Sequence, residues 1–374
     1  MIRPGTPANY GESMSASATV TEAQVLEALR AVQDPDLRRD IVSLGFIKDL
    51  RISSGDVRFQ IELTTPACPV KDLMKSQAEA AVRALPGVVE LQIEMTAQVT
   101  ASRPILGEKG TIPGVKNVIA VSSGKGGVGK STVAVNLACA LSRTGARVGI
   151  LDADVYGPNV PLMLGVRGAD PQVVQETVNG ETVKRILPFE AHGIQMISMG
   201  LLVAEDQAVI WRGPMLHSAI RQFLFEVSWQ DIDYLVVDLP PGTGDAQLSL
   251  SQQAHLMGAV IVTTPQDVSV LDVKKAIRMF QTVNVPILGV VENMAWFQPP
   301  GSEERYHLFG KGGGKRIEEL FEVPMLGQIP IEVAVREGGD GGNPIVVSQP
   351  DSASARAILD IAGKLAQRVS VLNA

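Results

Sequence analysis

Cysteine is nearly missing from this chain of 374 residues, which holds only Cys68 and Cys139. Two thiols cannot build the disulfide framework of a small secreted domain, and they point to a reducing compartment. Aromatic residues are scarce as well, at 4%. No run reaches the roughly 20 unbroken apolar residues that a membrane-spanning helix needs. The N-terminus has no apolar leader-like stretch, so a cytoplasmic location is expected. Positive charge is not in excess either. Lys and Arg number 33 against 40 Asp and Glu, a net charge of −7, which argues against a nucleic-acid partner held through its phosphates. What remains, 45% hydrophobic and 20% charged, is a globular composition, and the length suggests two domains.

The chain changes character along its length. Residues 1–18 are rich in Gly, Ser, Ala and Thr and read as a mobile tail. Thr21 starts a helix in which Val25, Leu26, Leu29 and Val32 follow the helical period, and Asp34-Pro35-Asp36 stops it. Strands are expected over 45–52 and 56–63, a helix over about 70–85 and a strand over 88–99. Together they make a small α+β unit over 19–99. The Pro- and Gly-containing stretch 100–116 reads as a linker. From 117 to 374, apolar runs at 118–121, 147–151, 234–237, 259–262, 287–291 and 325–329 alternate with helices. That alternation predicts a doubly wound α/β domain with a mostly parallel sheet. Ligands of such sheets gather at the carboxyl ends of the strands.

One such strand end carries Gly124-Lys125-Gly126-Gly127-Val128-Gly129-Lys130-Ser131, which fits G-x-x-x-x-G-K-[ST]. The match lies between an expected strand and an expected helix, the context of a phosphate-binding loop. Glycines let the backbone curl so that several N–H groups face one anion, and the helix N-terminus adds its dipole. Lys130 is expected on the β/γ-phosphates and Ser131 on Mg²⁺, with Thr132 next in the nucleotide-binding set. Asp238 ends an apolar strand before Leu239-Pro240-Pro241-Gly242-Thr243-Gly244-Asp245. A carboxylate there suits the water shell of the metal, and the Pro/Gly segment suits a switch loop. Asp152 and Asp154 also end a strand, and one of them could orient the attacking water or the metal shell. Lys125 adds a second positive charge near Lys130. It either points to solvent or reaches a nucleotide held by another subunit.

The K-G-G-x-G-K-[ST] pattern of Lys125 to Ser131 resembles the deviant-Walker-A ATPases. Trp211-Arg212-Gly213-Pro214-Met215, Asp152-Ala153-Asp154-Val155-Tyr156-Gly157-Pro158, the Asp233–Asp245 stretch and Phe309-Gly310-Lys311-Gly312-Gly313-Gly314 narrow it. They look like the Mrp/ApbC-type iron–sulfur cluster carrier ATPases. The resemblance implies ATP and Mg²⁺ as ligands and a homodimer in which Lys125 acts across the interface; hydrolysis is expected to be slow, because no internal arginine finger is evident. It implies Asn293 as the reader of the adenine base. It further implies delivery of Fe–S clusters to apo iron–sulfur proteins or assembly factors, with no membrane partner. Asp34-Pro35-Asp36, Ile41 to Gly45 and Thr64-Thr65-Pro66-Ala67-Cys68-Pro69 are similar to the small metal–sulfur-cluster-assembly domain, whose cysteine corresponds to Cys68.

One departure stands out. The family's cluster ligands are a C-x-x-C pair between the Asn-Met and Phe-Gly-Lys-Gly segments, and here residues 295–308 hold no cysteine. Cys139 falls in the apolar helix after the loop and reads as core. Cys68 is then the thiolate left to ligate a cluster, two chains supplying two, with His307 or a small thiol completing the shell. The rivals are an ATP-switched adaptor that holds no cluster and a positioning or partition ATPase. Residues 336–344 read as a nucleotide-adjacent loop by resemblance and as a turn by spacing. The helix expected over 352–369 lacks the Lys-rich polar face of a membrane-surface helix and reads as packed core.

Overall fold

The computed structural model describes residues 20–102, 110–178, 181–202 and 213–373. The tail expected over 1–18, positions 103–109 of the linker, and Trp211 and Arg212 lie outside the described residues. The chain divides into two compact units, Met1–Glu62 with Val70–Thr96, and Leu63–Pro69 with Ala97–Ala374. Thr65 and Cys68 therefore belong to the larger unit.

In the smaller unit, helix α1 (Glu22–Leu29) is closed by a capping box. The Thr21 side chain accepts from the Gln24 N–H, and the Gln24 side chain accepts from the Thr21 N–H at 2.9 Å. Strands β1 (Ile47–Ser53), β2 (Asp56–Leu63) and β3 (Glu90–Ala97) form a sheet in that order, with α2 (Lys71–Arg83) between β2 and β3. Val57, Phe59 and Ile61 alternate into the core, where Met74, Ala78 and Val82 of α2 are buried, as are Val25 and Leu29 of α1.

The larger unit is built on an eight-stranded sheet. Its strands are β4 (Val115–Ser123), β5 (Val148–Asp152), β6 (Phe189–Ala191), β7 (Ile194–Ser198), β8 (Ile232–Asp238), β9 (Gly258–Thr263), β10 (Ile287–Glu292) and β11 (Met325–Gln328). Their order is β6-β7-β5-β8-β4-β9-β10-β11, parallel throughout except for the antiparallel β6–β7 pair. Its longer helices are α3 (Lys130–Arg143), α4 (Gly213–Phe225), α5 (Asp245–Gln253), α6 (Asp267–Thr282), α7 (Gly313–Phe321), α8 (Val333–Asp340) and α9 (Ala353–Asn373).

The continuous apolar runs are explained by two cores. Ile119 and Val121 of β4, with Tyr234 and Val236 of β8, pack on the face covered by α3 and α9. Val118 and Ala120, with Leu235 and Val237, pack on the opposite face under α4, α5 and α6. Because side chains alternate, the middle of a strand covered on both faces is apolar on both sides, and the polar residues gather at the strand ends. Cys139 is fully buried in α3, as expected. Helix α9 buries Ile358, Ile361, Leu365 and Val369 and is core, also as expected. No helix among the described residues is long and apolar enough to cross a membrane.

One expectation is corrected. Arg336 to Asp340 are helical, in α8, with an Arg336–Asp340 ion pair at 3.0 Å, and only the residues after Asp340 turn. Gly338 looks like a helix breaker. It is there because a side chain would strike the Asn343 carbonyl, where the chain doubles back. The antiparallel pair Val173–Val178 and Glu181–Ile186 and the strands β6 and β7 went unanticipated.

Candidate functional site at the carboxyl edge of the sheet

The Gly-rich loop joins β4 to α3, as its sequence context required. Gly127 and Gly129 hold φ of 79° and 81°, the left-handed region that glycine enters without penalty. A side chain at Gly124 would overlap the backbone of α6 at Asp272, so this glycine serves close packing. By contrast, a Cβ on Gly127 would meet nothing, and one on Gly126 only Pro241 at 4.0 Å. The mouth of the loop is therefore open, and the Ser123 hydroxyl braces it from inside by donating to the Lys125 carbonyl at 2.9 Å.

Strand register brings the acidic residues together. Ser198 of β7 pairs with Asp152 of β5, and Asp152 pairs with Asp238 of β8. Neighbouring strands run about 4.8 Å apart, so these three form a row along the carboxyl edge. Lys130 closes on this row from the start of α3. Its Nζ lies 2.8 Å from Asp238 Oδ1, 3.6 Å from Asp154 Oδ2 and 3.1 Å from Ser131 Oγ. Lys130 is 6% exposed and Asp238 is fully buried.

The three carboxylates are not equivalent. Both oxygens of Asp152 are taken by the protein. Oδ1 accepts from the Asp154 N–H at 3.1 Å, and Oδ2 from the Ser198 hydroxyl at 2.9 Å and the Val160 N–H at 3.3 Å. Asp154 Oδ1 accepts from the Tyr156 and Gly157 N–H groups, which leaves Oδ2 turned to Lys130. Asp238 Oδ2 is buried and has no hydrogen-bond partner among the described residues. Burial pushes the Asp152 carboxyl up to about 8, with the charge of Asp238 adding to the rise and Ser198, Asp154 and Lys130 opposing it. Burial also raises Asp238, against the pull of Lys130 and the Ser131 hydroxyl.

Ser131 and Thr132 are half-buried in the first turn of α3, and the Thr132 carbonyl accepts from Asn136 at 2.9 Å. Lys125 is half-buried at the mouth of the loop and forms no ion pair among the described residues. Asn293 follows β10 directly and reaches the loop, donating from Nδ2 to the Val128 carbonyl at 2.9 Å. Sequence reasoning missed Ser198, because β7 was missed. It also missed Gln247 of α5, fully buried, whose Nε2 donates to the carbonyls of Pro240 at 2.6 Å and Gly242 at 3.0 Å and so pins the Pro/Gly segment after Asp238. A lone glutamine in an amphipathic helix carries no signal of that job.

These residues fit a metal–nucleotide pair. Asp238 Oδ2 is an orphaned buried acceptor that a metal-bound water would satisfy. Mg²⁺ commonly binds through one or two protein oxygens plus phosphates and keeps several waters. A preformed cage is therefore not required, and no group of three or more His, Cys, Asp or Glu side chains able to hold a metal ion occurs among the described residues.

Cys68 is not brought to this site. Its neighbour Ala67 lies in the core under α9, Pro66 sits beside Gly145 at the far end of α3, and Thr65 Oγ1 accepts from the Tyr234 hydroxyl at 3.2 Å. Tyr234 precedes Asp238 by four strand residues, about 13 Å. His307 is at the carboxyl edge instead, with Nδ1 donating to the Ala295 carbonyl at 3.1 Å. The neighbours of Cys68 and the ring of His307 thus lie at opposite ends of the strands, and the fold does not bring the two residues of one chain together. The cysteine-free interval is a closed hairpin. Phe297 and Tyr306 exchange two backbone bonds of 2.8 Å, and the Arg305 guanidinium lies 4.8 Å from the Trp296 ring centroid.

Comparison with known proteins agrees with this geometry. A family profile described as NUBPL iron-transfer P-loop NTPase matches residues 114–366, and one described as iron-sulfur cluster assembly protein matches residues 22–93. The iron-sulfur cluster carrier protein of Synechocystis sp. is 53% identical over 353 residues, 94% of this chain and 99% of that one. Its namesake from Deinococcus radiodurans is 50% identical over 348 residues, 93% and 95% of the two chains. A solved nucleotide-binding protein from Archaeoglobus fulgidus, in complex with ADP and with cobalt found in it, shares 36% identity. It superposes with a TM-score of 0.54, covering 65% of this chain and 91% of that one.

Proposed function

This chain belongs to the NUBPL iron-transfer P-loop NTPase family, and we propose that it is a cytoplasmic, ATP-switched homodimer that carries iron–sulfur clusters to apo iron–sulfur proteins or assembly factors. The observation that carries the proposal is the open glycine loop with Lys130, Asp154 and Asp238 converging beneath it.

In this reading the loop N–H groups from Gly126 to Ser131 receive the phosphates, and Lys130 turns from Asp238 to the β/γ-phosphates. Mg²⁺, when bound with the nucleotide, offsets phosphate charge; the Ser131 hydroxyl would hold it and Asp238 Oδ2 would hold one of its waters. Water attacks the γ-phosphorus, the bond to the β,γ-bridging oxygen breaks, ADP leaves with that oxygen, and the water's oxygen and protons leave on inorganic phosphate. Asp154, with one oxygen turned inward, is the better placed of the two early aspartates to orient that water. Asp152, with both oxygens engaged, holds the Asp154–Val160 turn. Lys125, half-buried and without an ion pair among the described residues, suits a contact to nucleotide in the second subunit.

The cluster is cargo on this reading. A second reading, the adaptor without a cluster, is favoured by one observation: the closed hairpin over 295–308 offers no thiolate. A partition role is disfavoured by the iron–sulfur assembly match in the smaller unit. The deciding experiment is anaerobic loading of the full chain with iron and sulfide, desalting, and transfer to an apo-ferredoxin with and without Mg·ATP. A retained cluster that reaches the acceptor supports the carrier. ATP turnover with no retained cluster selects the adaptor.

A further inference from the structure

We infer that Asn293 positions the phosphate loop, so that losing it weakens binding of any polyphosphate, whatever base is attached. The inference rests on the nucleotide reading above and goes beyond the adenine-reading role that the resemblance implies.

Asn293 is 8% exposed, and its own backbone N–H donates to the Thr263 carbonyl at the end of β9 at 2.8 Å. Its position is therefore set by the sheet and not by a ligand. From that fixed point Nδ2 donates to the carbonyl of Val128, the residue between the two left-handed glycines. The peptide joining Val128 to Gly129 is planar and trans, so its C=O and N–H point in opposite directions. Pinning the Val128 carbonyl on Asn293 thereby fixes the direction of the Gly129 N–H, one of the donors that such a loop offers an anion. Contact is direct, since a Cβ on Gly129 would overlap Asn293 Nδ2 and come within 3.7 Å of Met294 Cε. An amide has two N–H bonds, and the one spent on Val128 cannot serve a base.

The preceding residue does the same for a second glycine segment. Glu292, 1% exposed, accepts from the Gly314 N–H at 2.6 Å and from Gln328 Nε2 at 2.6 Å. Gly310 and Gly312 there have φ of 85° and 77°, like the glycines of the phosphate loop. The end of β10 thus braces two glycine loops with consecutive side chains. One loop receives a carboxylate of the protein, while the mouth of the other is open.

The test is calorimetric titration of the full-length protein with Mg·ATP, Mg·GTP and Mg·tripolyphosphate, in wild type, Asn293→Ala and Asn293→Leu. Leu fills the same space without a donor and carries the comparison should the Ala variant not fold. Thermal unfolding without ligand checks that each protein is native. The affinities for all three ligands should fall together, by about tenfold for one lost hydrogen bond, with the ATP-to-GTP ratio unchanged. Weaker ATP binding with unaltered tripolyphosphate binding overturns the inference and makes Asn293 a base reader. Unaltered binding of all three overturns it too. Wild type that binds neither ATP nor tripolyphosphate sinks the nucleotide reading itself, and the role of Asn293 with it.

Discussion

The ammonium of Lys130 lies 2.8 Å from Oδ1 of Asp238, with both side chains out of solvent. The lysine expected on phosphate is thus already neutralised by the carboxylate expected on the metal's waters. An incoming anion must take the lysine away, and a cation must then compensate Asp238. The pair is a reason for nucleotide and metal to bind together.

Removing Lys130 should therefore act twice. Lys130→Ala should lose most Mg·ATP binding in calorimetry. It should also lower the unfolding midpoint of the ligand-free protein, because breaking a buried pair leaves an uncompensated charge, at a cost of about 3–5 kcal/mol. Asp238 is already raised by burial, so proton uptake will relieve part of that cost at low pH. Equal ATP affinity in mutant and wild type would contradict the assignment.

Lys125 should separate binding from turnover. Lys125→Gln is expected to bind Mg·ATP as wild type does and to lose hydrolysis, measured as phosphate release. Wild-type turnover itself should be slow, about 10⁻²–10⁻⁴ per second for an NTPase without a supplied arginine finger. Mixing Lys125→Gln with Lys130→Ala protein should restore some activity through hybrid dimers. Full activity in a strictly monomeric Lys125→Gln protein would refute action across the interface.

Asp152 predicts a pH dependence. Its carboxyl stands near 8 in the folded protein against an ordinary 3.8, so the folded state binds this proton more tightly than the unfolded state does. The resulting stability is complete below about pH 4 and is lost as pH rises through about 8. Denaturant titrations of nucleotide-free protein from pH 5 to 8.5 should show wild type losing more stability than Asp152→Asn. Parallel curves for the two proteins would remove Asp152 as the cause.

The parts of the fold that the sequence disclosed are those where burial leaves a pattern. The inner strands β5, β8, β4, β9 and β10 carry long apolar runs because both faces are covered, and the glycine loop announces itself by its spacing. Strand β6 has only three residues and lies at the edge of the sheet, with β7 next to it. Their turn is His192-Gly193, with φ of 50° and 76°, where the usual signal is Asn-Gly or Asp-Gly. Losing β7 also hid Ser198, whose role depends on strand register and not on any local motif. The position of Cys68 was hidden for a related reason. Its surroundings come from Tyr234 and α9, far along the chain, and no spacing rule reaches that distance.

The two thiols should behave oppositely. Cys139 is fully buried, and burial pushes its thiol up to about 12, so it is neither nucleophile nor thiolate ligand near neutrality. Cys68 is half-buried before a predicted helix that the structure confirms at Lys71. A disulfide reagent at pH 8 should modify one thiol per native chain and the second only after unfolding. Mass mapping should place the first label on Cys68. In anaerobic loading, any cluster that wild type retains should survive in Cys139→Ser and disappear in Cys68→Ser. Since the fold does not bring His307 of the same chain to Cys68, such a cluster would be shared between two copies, and its loss should accompany dissociation of the loaded dimer in sizing runs. A stable cluster on Cys68→Ser would show that the thiolate ligand had been misidentified.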